Sequence, residues 1–428
     1  MEQGNWIYLD HAAATPLDDR VREAMAPFET ELFFNPSAPY APAWDVRRAF
    51  EAARAGLAHA IGAKPAEVVI TAGATESINL AFTAADARAG YGADGEVPDG
   101  DKAEPAAVHV VTTAIEHAAV LSCAAAFPHA LVKVNKHGLV DPRDVRIAIR
   151  SDTRLVSIGL ANNEIGTIQP LRAISEVVRQ VRQERLSAGD ATPLFLHSDA
   201  SQCAGQVDVN TSTLGVDMLT LNAAKIYGPK QVGLLWAARG VPLRPIVHGG
   251  GQERGLRSGT ENVAGAVGFA RALQMAVESR KDEAKRLSAL RDSLQRRLLK
   301  EFPDAVVSGH KKHRLPGLLH ISFPGLDAER LVYLLEAQGV YVGTGAACAA
   351  NKATHSHVLE AIGLEPEVAD GSLRLSLGRL STEKNTAYAG DLIAREVQGE
   401  YERLERNQTL MGSSNFWDTE PKPPKGLW

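Results

Sequence analysis

Six short apolar runs, spaced so that helices fit between several of them, restrict this chain more than any other feature. They are VVI (68–70), VHVVT (108–112), RLVSIGL (154–160), LFLHSD (194–199), DMLTL (217–221) and VGLLWA (232–237). Helical patterning precedes or separates these runs, at 44–61, 117–126 and 170–187. The last opens at Pro170 and repeats apolar residues at Leu171, Ile174, Val177, Val178 and Val181. Short apolar strands alternating with such helices predict an α/β fold with a mostly parallel central sheet covered on both faces.

A second pattern follows. Glu261 to about Phe302 is helix-forming and becomes charge-rich from Glu278, which predicts a long helix joining two units. Beyond it, LLHISF (318–323), AERLVYLLEAQG (328–339), VYVG (340–343) and SLRLSLG (372–378) predict a smaller α+β unit. Residues 86–106 are polar with Gly and Pro and are expected to form a surface insertion. The segment 408–428 lacks periodicity and is expected to be disordered or a docking tail. A chain of 428 residues has room for two to three domains.

Composition removes several function classes. A net charge of −5 and a pI near 6.2 provide no strong positive field for nucleic acid. No run of 18 apolar residues or secretory leader is evident, so neither membrane insertion nor export is expected, and the location expected is cytoplasmic. Cys123, Cys203 and Cys348 lie far apart, which supports no disulfide framework and no cysteine-rich zinc site. Cys348, His355 and His357 lack a clear fourth ligand, so no metal is expected.

In a parallel α/β sheet, ligands gather beyond the C-terminal strand ends. Four polar elements fall there: Gly73-Ala74-Thr75 before a helix, Glu116-His117, Asp199 with Gln202, and Lys225. A helix N-terminus with a threonine hydroxyl can cradle a phosphate, with ordinary helix capping as the alternative. A carboxylate in such a place needs a cation or donor, such as a protonated pyridine-type nitrogen, and a desolvated lysine becomes nucleophilic. Together these groups suit pyridoxal 5'-phosphate. The Walker pattern is absent, and no dinucleotide glycine motif sits convincingly at a β-to-α turn.

Ordered motifs then carry a more specific resemblance. They are YLDHAAATP (8–16), NPSAPY (35–40), TAGATESINLA (71–81), EHAAV (116–120), ANNEIGTIQP (161–170), HSDASQCAG (197–205), KIYGPKQVG (225–233), HGGGQERGLRSGT (248–260), GTGAACAA (343–350) and LRLSLGR (373–379). The chain resembles cysteine desulfurases of the class V aminotransferase superfamily, in particular the housekeeping iron–sulfur assembly branch. That resemblance implies fold type I, with a large cofactor domain at 17–275. The small domain would combine 1–16 with 276–407 and carry a mobile cysteine loop around 343–354.

The resemblance also implies roles. Lys225 would attach the cofactor and shuttle protons, His117 would stack on the ring as a second proton carrier, and Asp199 would pair with the ring nitrogen. Gln202 and Asn163 would contact the ring oxygen or orient substrate, while Ala74, Thr75 and Asn222 would complete the cofactor site. Thr260 would reach the phosphate of a neighbouring subunit, implying a homodimer. Asn35 and Arg374 would bind substrate, with Arg374 on the α-carboxylate, and Cys348 would take sulfur from L-cysteine, leaving L-alanine. The expected partner is an iron–sulfur scaffold or another sulfur acceptor. One departure stands out: family members commonly carry Ser-x-His-Lys at the cofactor lysine, whereas this chain has Asn222-Ala223-Ala224-Lys225. The alternatives are another lyase or aminotransferase with this cofactor, such as a selenocysteine lyase, and a degenerate non-enzymatic assembly partner.

Overall fold

The computed structural model describes residues 6–86, 108–344 and 356–412. Cys348, His355, nearly all of the expected insertion and the end of the chain lie outside them. Twelve strands form two sheets: β1 (Ile7–Leu9), β2 (Val68–Thr71), β3 (His109–Thr113), β4 (His129–Val132), β5 (Thr153–Ser157), β6 (Phe195–Asp199), β7 (Met218–Asn222), β8 (Gly233–Ala237), β9 (Val306–Ser308), β10 (Leu318–Ser322), β11 (Val340–Thr344) and β12 (Ser372–Ser376). The larger sheet has the order β2-β8-β7-β6-β5-β3-β4, and only β8 runs against its neighbours. The smaller sheet has the order β1-β11-β12-β10-β9.

Strand alternation distributes the apolar side chains between two layers. Val111, Val156, Leu219 and Leu234 enter one core, whereas their neighbours Val110, Leu155, Met218 and Leu235 enter another on the opposite face. The six predicted strands are buried along almost their whole length because both faces are covered. Helices α1 (Ala41–Ala60) and α3 (Leu171–Ser187) supply Phe50, Leu57, Ile174 and Val178 to the first core. Helix α2 (Ala74–Asp86) supplies Ile78, Leu80 and Phe82 to the second.

Helix α4 (Val263–Glu301) connects the two sheets. Its first half buries Phe269 and Leu273 in the large core, and its second half buries Leu287, Leu294 and Leu298 against the small sheet. The last described helix, α5 (Glu383–Gly412), continues past residue 408, so the beginning of the expected tail is helical. Among the described residues no helix is long and apolar enough to cross a membrane.

Side chains also tie together the loops at the C-terminal strand edge. Glu116 follows β3; its Oε1 accepts from Thr113 Oγ1 at 2.6 Å and its Oε2 from the Gly159 amide at 2.9 Å. Gly159 is required by this approach, because a Cβ there would lie 2.9 Å from Glu116 Oε2. Burial outweighs both hydrogen bonds and raises the Glu116 pKa to about 7, with the nearby Asp199 charge acting in the same direction.

Two predictions follow from this packing. Phe269→Ala should lower unfolding free energy by about 3–5 kcal/mol, while Arg296→Ala, on the exposed side of the same helix, should change it by less than about 0.5 kcal/mol; denaturant midpoints measure both. The raised Glu116 pKa favours the folded state below the unfolded value near 4.5. That contribution disappears as pH rises through about 7 and is on the order of 3 kcal/mol. Glu116→Gln should flatten stability between these pH values, and an unchanged pH profile would contradict this assignment.

Candidate active site

Lys225 lies one short turn beyond β7 and is largely enclosed. Its Nζ donates to the carbonyls of Ala12 at 2.8 Å and Ala13 at 2.6 Å. Burial lowers its pKa, the Arg374 charge adds to that effect, and Asp10 and Asp199 oppose it. The turn is tight, since a Cβ at Gly228 would meet the Ala223 Cβ and carbonyl oxygen at 2.9 Å. Thr15 fastens it from the other side: its amide and hydroxyl donate to the Ala224 carbonyl, and its Oγ1 accepts from the Tyr227 amide at 2.7 Å.

The neighbouring strand ends supply the other groups. Asp199 terminates β6, and its Oδ1 accepts from the Ser201 amide and hydroxyl at 2.9 and 2.6 Å. Its Oδ2 has no hydrogen-bond partner among the described residues, leaving an acceptor at the site. Gln202 Nε2 donates to the same Ala12 carbonyl as Lys225, at 3.0 Å. Asn222 Oδ1 accepts from the Ala224 amide, leaving its Nδ2 hydrogens as the available donors.

His117 caps the helix Ala118–Ala124 and is exposed. Its Nδ1 accepts from the Ala119 amide at 3.1 Å, which places the proton of the neutral ring on Nε2. Gly73 precedes α2 with φ +138°, and a Cβ built there would meet nothing within 4 Å. The turn is therefore open on that side. By helix geometry the first-turn amides of Ala74 and Thr75 have no intrahelical acceptor, and the Thr75 side chain is exposed. Gly233, paired with Asn222, permits the close approach of this turn: its Cβ would lie 2.7 Å from Gly73.

Arg374 is only 2% exposed and reaches the site from β12 of the smaller sheet. Its Nη2 donates to Asp10 Oδ1 at 2.8 Å and its Nη1 to the Asn163 carbonyl at 3.4 Å, while Nε has no partner. The mobile loop implied by the resemblance starts around residue 343, whereas Gly343 itself is an extended residue of β11, directly paired with Arg374. A Cβ at Gly343 would stand 3.0 Å from Nη2 and 3.2 Å from Nε, so its bare backbone makes room for the guanidinium.

Lys225 and Gln202 thus meet on the Ala12–Ala13 backbone, Arg374 joins Asp10 to the Asn163 carbonyl, and the Arg374, Asp10 and Asp199 charges all act on Lys225, with Ala74, Thr75 and Asn222 at the adjoining turn. Asn35 and Thr260 are exposed and outside this hydrogen-bonded group; Asn35 Oδ1 accepts locally from the Ser37 amide at 2.9 Å. Cys348 belongs to the undescribed segment after Thr344. Asp10 and Thr15, both within YLDHAAATP, also belong to the site. A charged residue directly after an apolar strand is the signal that marks Asp10; Thr15 offers no comparable signal, because its partners are 209 and more residues away.

The remaining cysteines are packing groups. Cys203 is fully buried in the large core, and burial raises the thiol pKa of Cys123 to about 11.

Comparison with known proteins agrees with this architecture. The aminotransferase class-V family matches residues 7–388. Cysteine desulfurase IscS of Dictyoglomus turgidum is 38% identical over 397 residues, spanning 92% of this chain and 94% of that protein. Cysteine desulfurase IscS 1 of Archaeoglobus fulgidus is 39% identical over 405 residues, spanning 93% and 97%. Among solved structures, a NifS-like protein superposes with TM-score 0.80 at 34% identity, covering 92% of this chain and 99% of that one. SspA in complex with cysteine gives 0.69 at 31% identity, covering 86% and 98%. The chain belongs to the class-V aminotransferase family and, within it, to the cysteine desulfurases.

Proposed function

We propose that this protein is a pyridoxal 5'-phosphate-dependent cysteine desulfurase that converts L-cysteine to L-alanine and holds the sulfur as a persulfide on Cys348. The carrying observation is the placement of the Arg374 guanidinium and the pKa-lowered Lys225 at one site, beside the free acceptor of Asp199. In this reading the protein acts in the cytoplasm as a homodimer and delivers sulfur to an iron–sulfur scaffold or a thiolation acceptor.

The residues suit the cofactor in chemistry as well as position. Lys225 would attach it, Asp199 would accept from its ring nitrogen, and the Gly73–Thr75 turn would hold its phosphate. When bound, the cofactor supplies an electron sink for negative charge at the substrate α-carbon. His117 would help hold the ring and, with Lys225, carry protons. Gln202 and Asn163 would orient the ring oxygen or the substrate, Asn35 would add a substrate contact, and Thr260 would serve the neighbouring subunit's phosphate. Arg374 binds the α-carboxylate as a guanidinium already held by Asp10.

Cys348 completes the reaction. Its thiolate attacks the substrate sulfur; the S–S bond forms as the C–S bond breaks, and carbon takes the electron pair and then a proton. Cysteine and an enzyme thiol thereby become alanine and an enzyme persulfide, with atoms and charge balanced. Thr344 pairs with Leu373, next to Arg374, and lies four residues before Cys348.

Ala224 favours a second reading, that of a degenerate assembly partner, because it offers no imidazole to phosphate. The two readings separate experimentally. Borohydride should fix a pyridoxyl mass on the Lys225 peptide, and L-cysteine should yield alanine and persulfide in equal amounts. Cys348→Ser should keep the cofactor's spectral response to L-cysteine and lose at least about 100-fold in persulfide formation, since a hydroxyl is a far poorer nucleophile than a thiolate. Labelling of other lysines but not Lys225, or no alanine at saturating cofactor, would overturn the desulfurase proposal.

Replacing the missing ring should strengthen retention. A hydrogen bond to a charged group is worth about 1.5–3 kcal/mol, so Ala224→His should slow cofactor release by about tenfold or more without changing the product. Equal release rates would show that the imidazole is not missed.

A further inference from the structure

A carboxylate stands beneath the turn that is to hold phosphate. Glu76, in the first turn of α2, folds back so that Oε2 accepts from the Ala72 amide at 2.7 Å. Its Oε1 accepts from Arg257 Nε at 3.0 Å, and the Glu76 side chain is only 15% exposed. One side chain therefore connects the backbone just before Gly73 with the segment that leads to Thr260.

That segment is held rigidly elsewhere. Glu253 and Arg254 are consecutive non-glycine residues with φ of +52° and +58°, a conformation that needs surrounding contacts to maintain it. Glu253 Oε1 and Oε2 accept from Arg54 at 2.5 and 2.7 Å, and Oε2 also accepts from the Ile70 amide at 2.8 Å. Arg54 and Arg254 donate to the Val68 carbonyl at 3.0 and 3.1 Å. The open edge of β2 is thus covered by side chains, and the 252–258 segment is fixed to the strand that ends at the phosphate turn. Glu76 adds the final connection, at the turn itself.

We infer that Glu76 is a positioning residue for the phosphate cradle: it holds the Ala72–Thr75 turn open for an anion and fastens it to the Arg257–Thr260 segment. This inference rests on the cofactor reading above. Coulomb's law alone predicts the opposite effect, since a negative charge beside an anion site repels its ligand. Positioning prevails here because both carboxylate oxygens are already engaged by donors, one of them cationic.

The test compares binding of pyridoxal 5'-phosphate and of pyridoxal, which lacks the phosphate, to apoprotein followed by absorbance. Glu76→Ala should weaken binding of the phosphorylated compound by about tenfold or more and leave pyridoxal within about threefold. Glu76→Gln should recover part of the loss, because its one amide oxygen still accepts from Ala72 while its NH2 group cannot accept from Arg257. Glu76→Asp keeps the charge but not the reach, so it should behave like Glu76→Ala and carries the test if the alanine variant does not fold. Unchanged or tighter binding of the phosphorylated compound in the Ala and Asp variants would overturn the inference, as would equal weakening of both compounds. If wild-type protein binds neither aldehyde at Lys225, the cofactor reading has failed and this inference falls with it.

Discussion

The site depends on the short path of backbone from Asp10 to Thr15. β1 adds to the smaller sheet, the Asp10 carboxylate holds Arg374, and the Ala12 and Ala13 carbonyls accept the Lys225 ammonium. Thr15 then bonds to the Ala224 carbonyl. A few consecutive residues thereby set the distance between a guanidinium on one sheet and an amine on the other. Since carbonyl acceptors stabilise the ammonium while burial and Arg374 oppose it, the same stretch also determines how readily Lys225 yields a proton.

Buried polar groups are handled by two different means around that path. The Arg374 guanidinium is paired with the Asp10 carboxylate, whereas His197, two residues before Asp199 in β6, is kept neutral by burial, which lowers its pKa to about 3. Its ring nitrogens contact Ser157 Oγ and Thr220 Oγ1 at 2.9 and 3.0 Å. These contacts tie β5, β6 and β7 through side chains, just below the ends from which Asp199 and Lys225 emerge. Rigid support is placed where a small displacement would matter most to the chemistry.

Much of this was legible in the sequence, for reasons that differ by element. β2, β3 and β5 to β8 are readable because burial on both faces makes them continuously apolar. β4 (His129–Val132) is not, since it is an edge strand with exposed residues, and β1 gains its meaning only from pairing with β11 more than 300 residues later. Lys225, Asp199 and His117 stand out as polar groups at strand ends. Glu76 does not, because a glutamate in the first turn of a helix has an ordinary explanation in capping. Gly343 was read as a loop residue for a similar reason: only its register opposite Arg374 shows that the absent Cβ makes room for a cation.

Ala224 is where sequence and architecture pull apart, and magnitudes decide between them. Loss of one charge-assisted hydrogen bond weakens an anion by about 1.5–3 kcal/mol. The turn still presents the Ala74 and Thr75 amides and the Thr75 hydroxyl, and Asn222 retains Nδ2 hydrogens because only its oxygen is engaged by the Ala224 amide. Each remaining donor to a charged phosphate is of the same order as the one removed, and in the proposed reading Lys225 would add a covalent attachment. On that reading the substitution would loosen the phosphate without removing the means to hold it. An architecture that preserves Lys225, Asp199 and Arg374 in mutual range fits a working catalyst with a weakened cofactor grip better than a scaffold that has abandoned its chemistry.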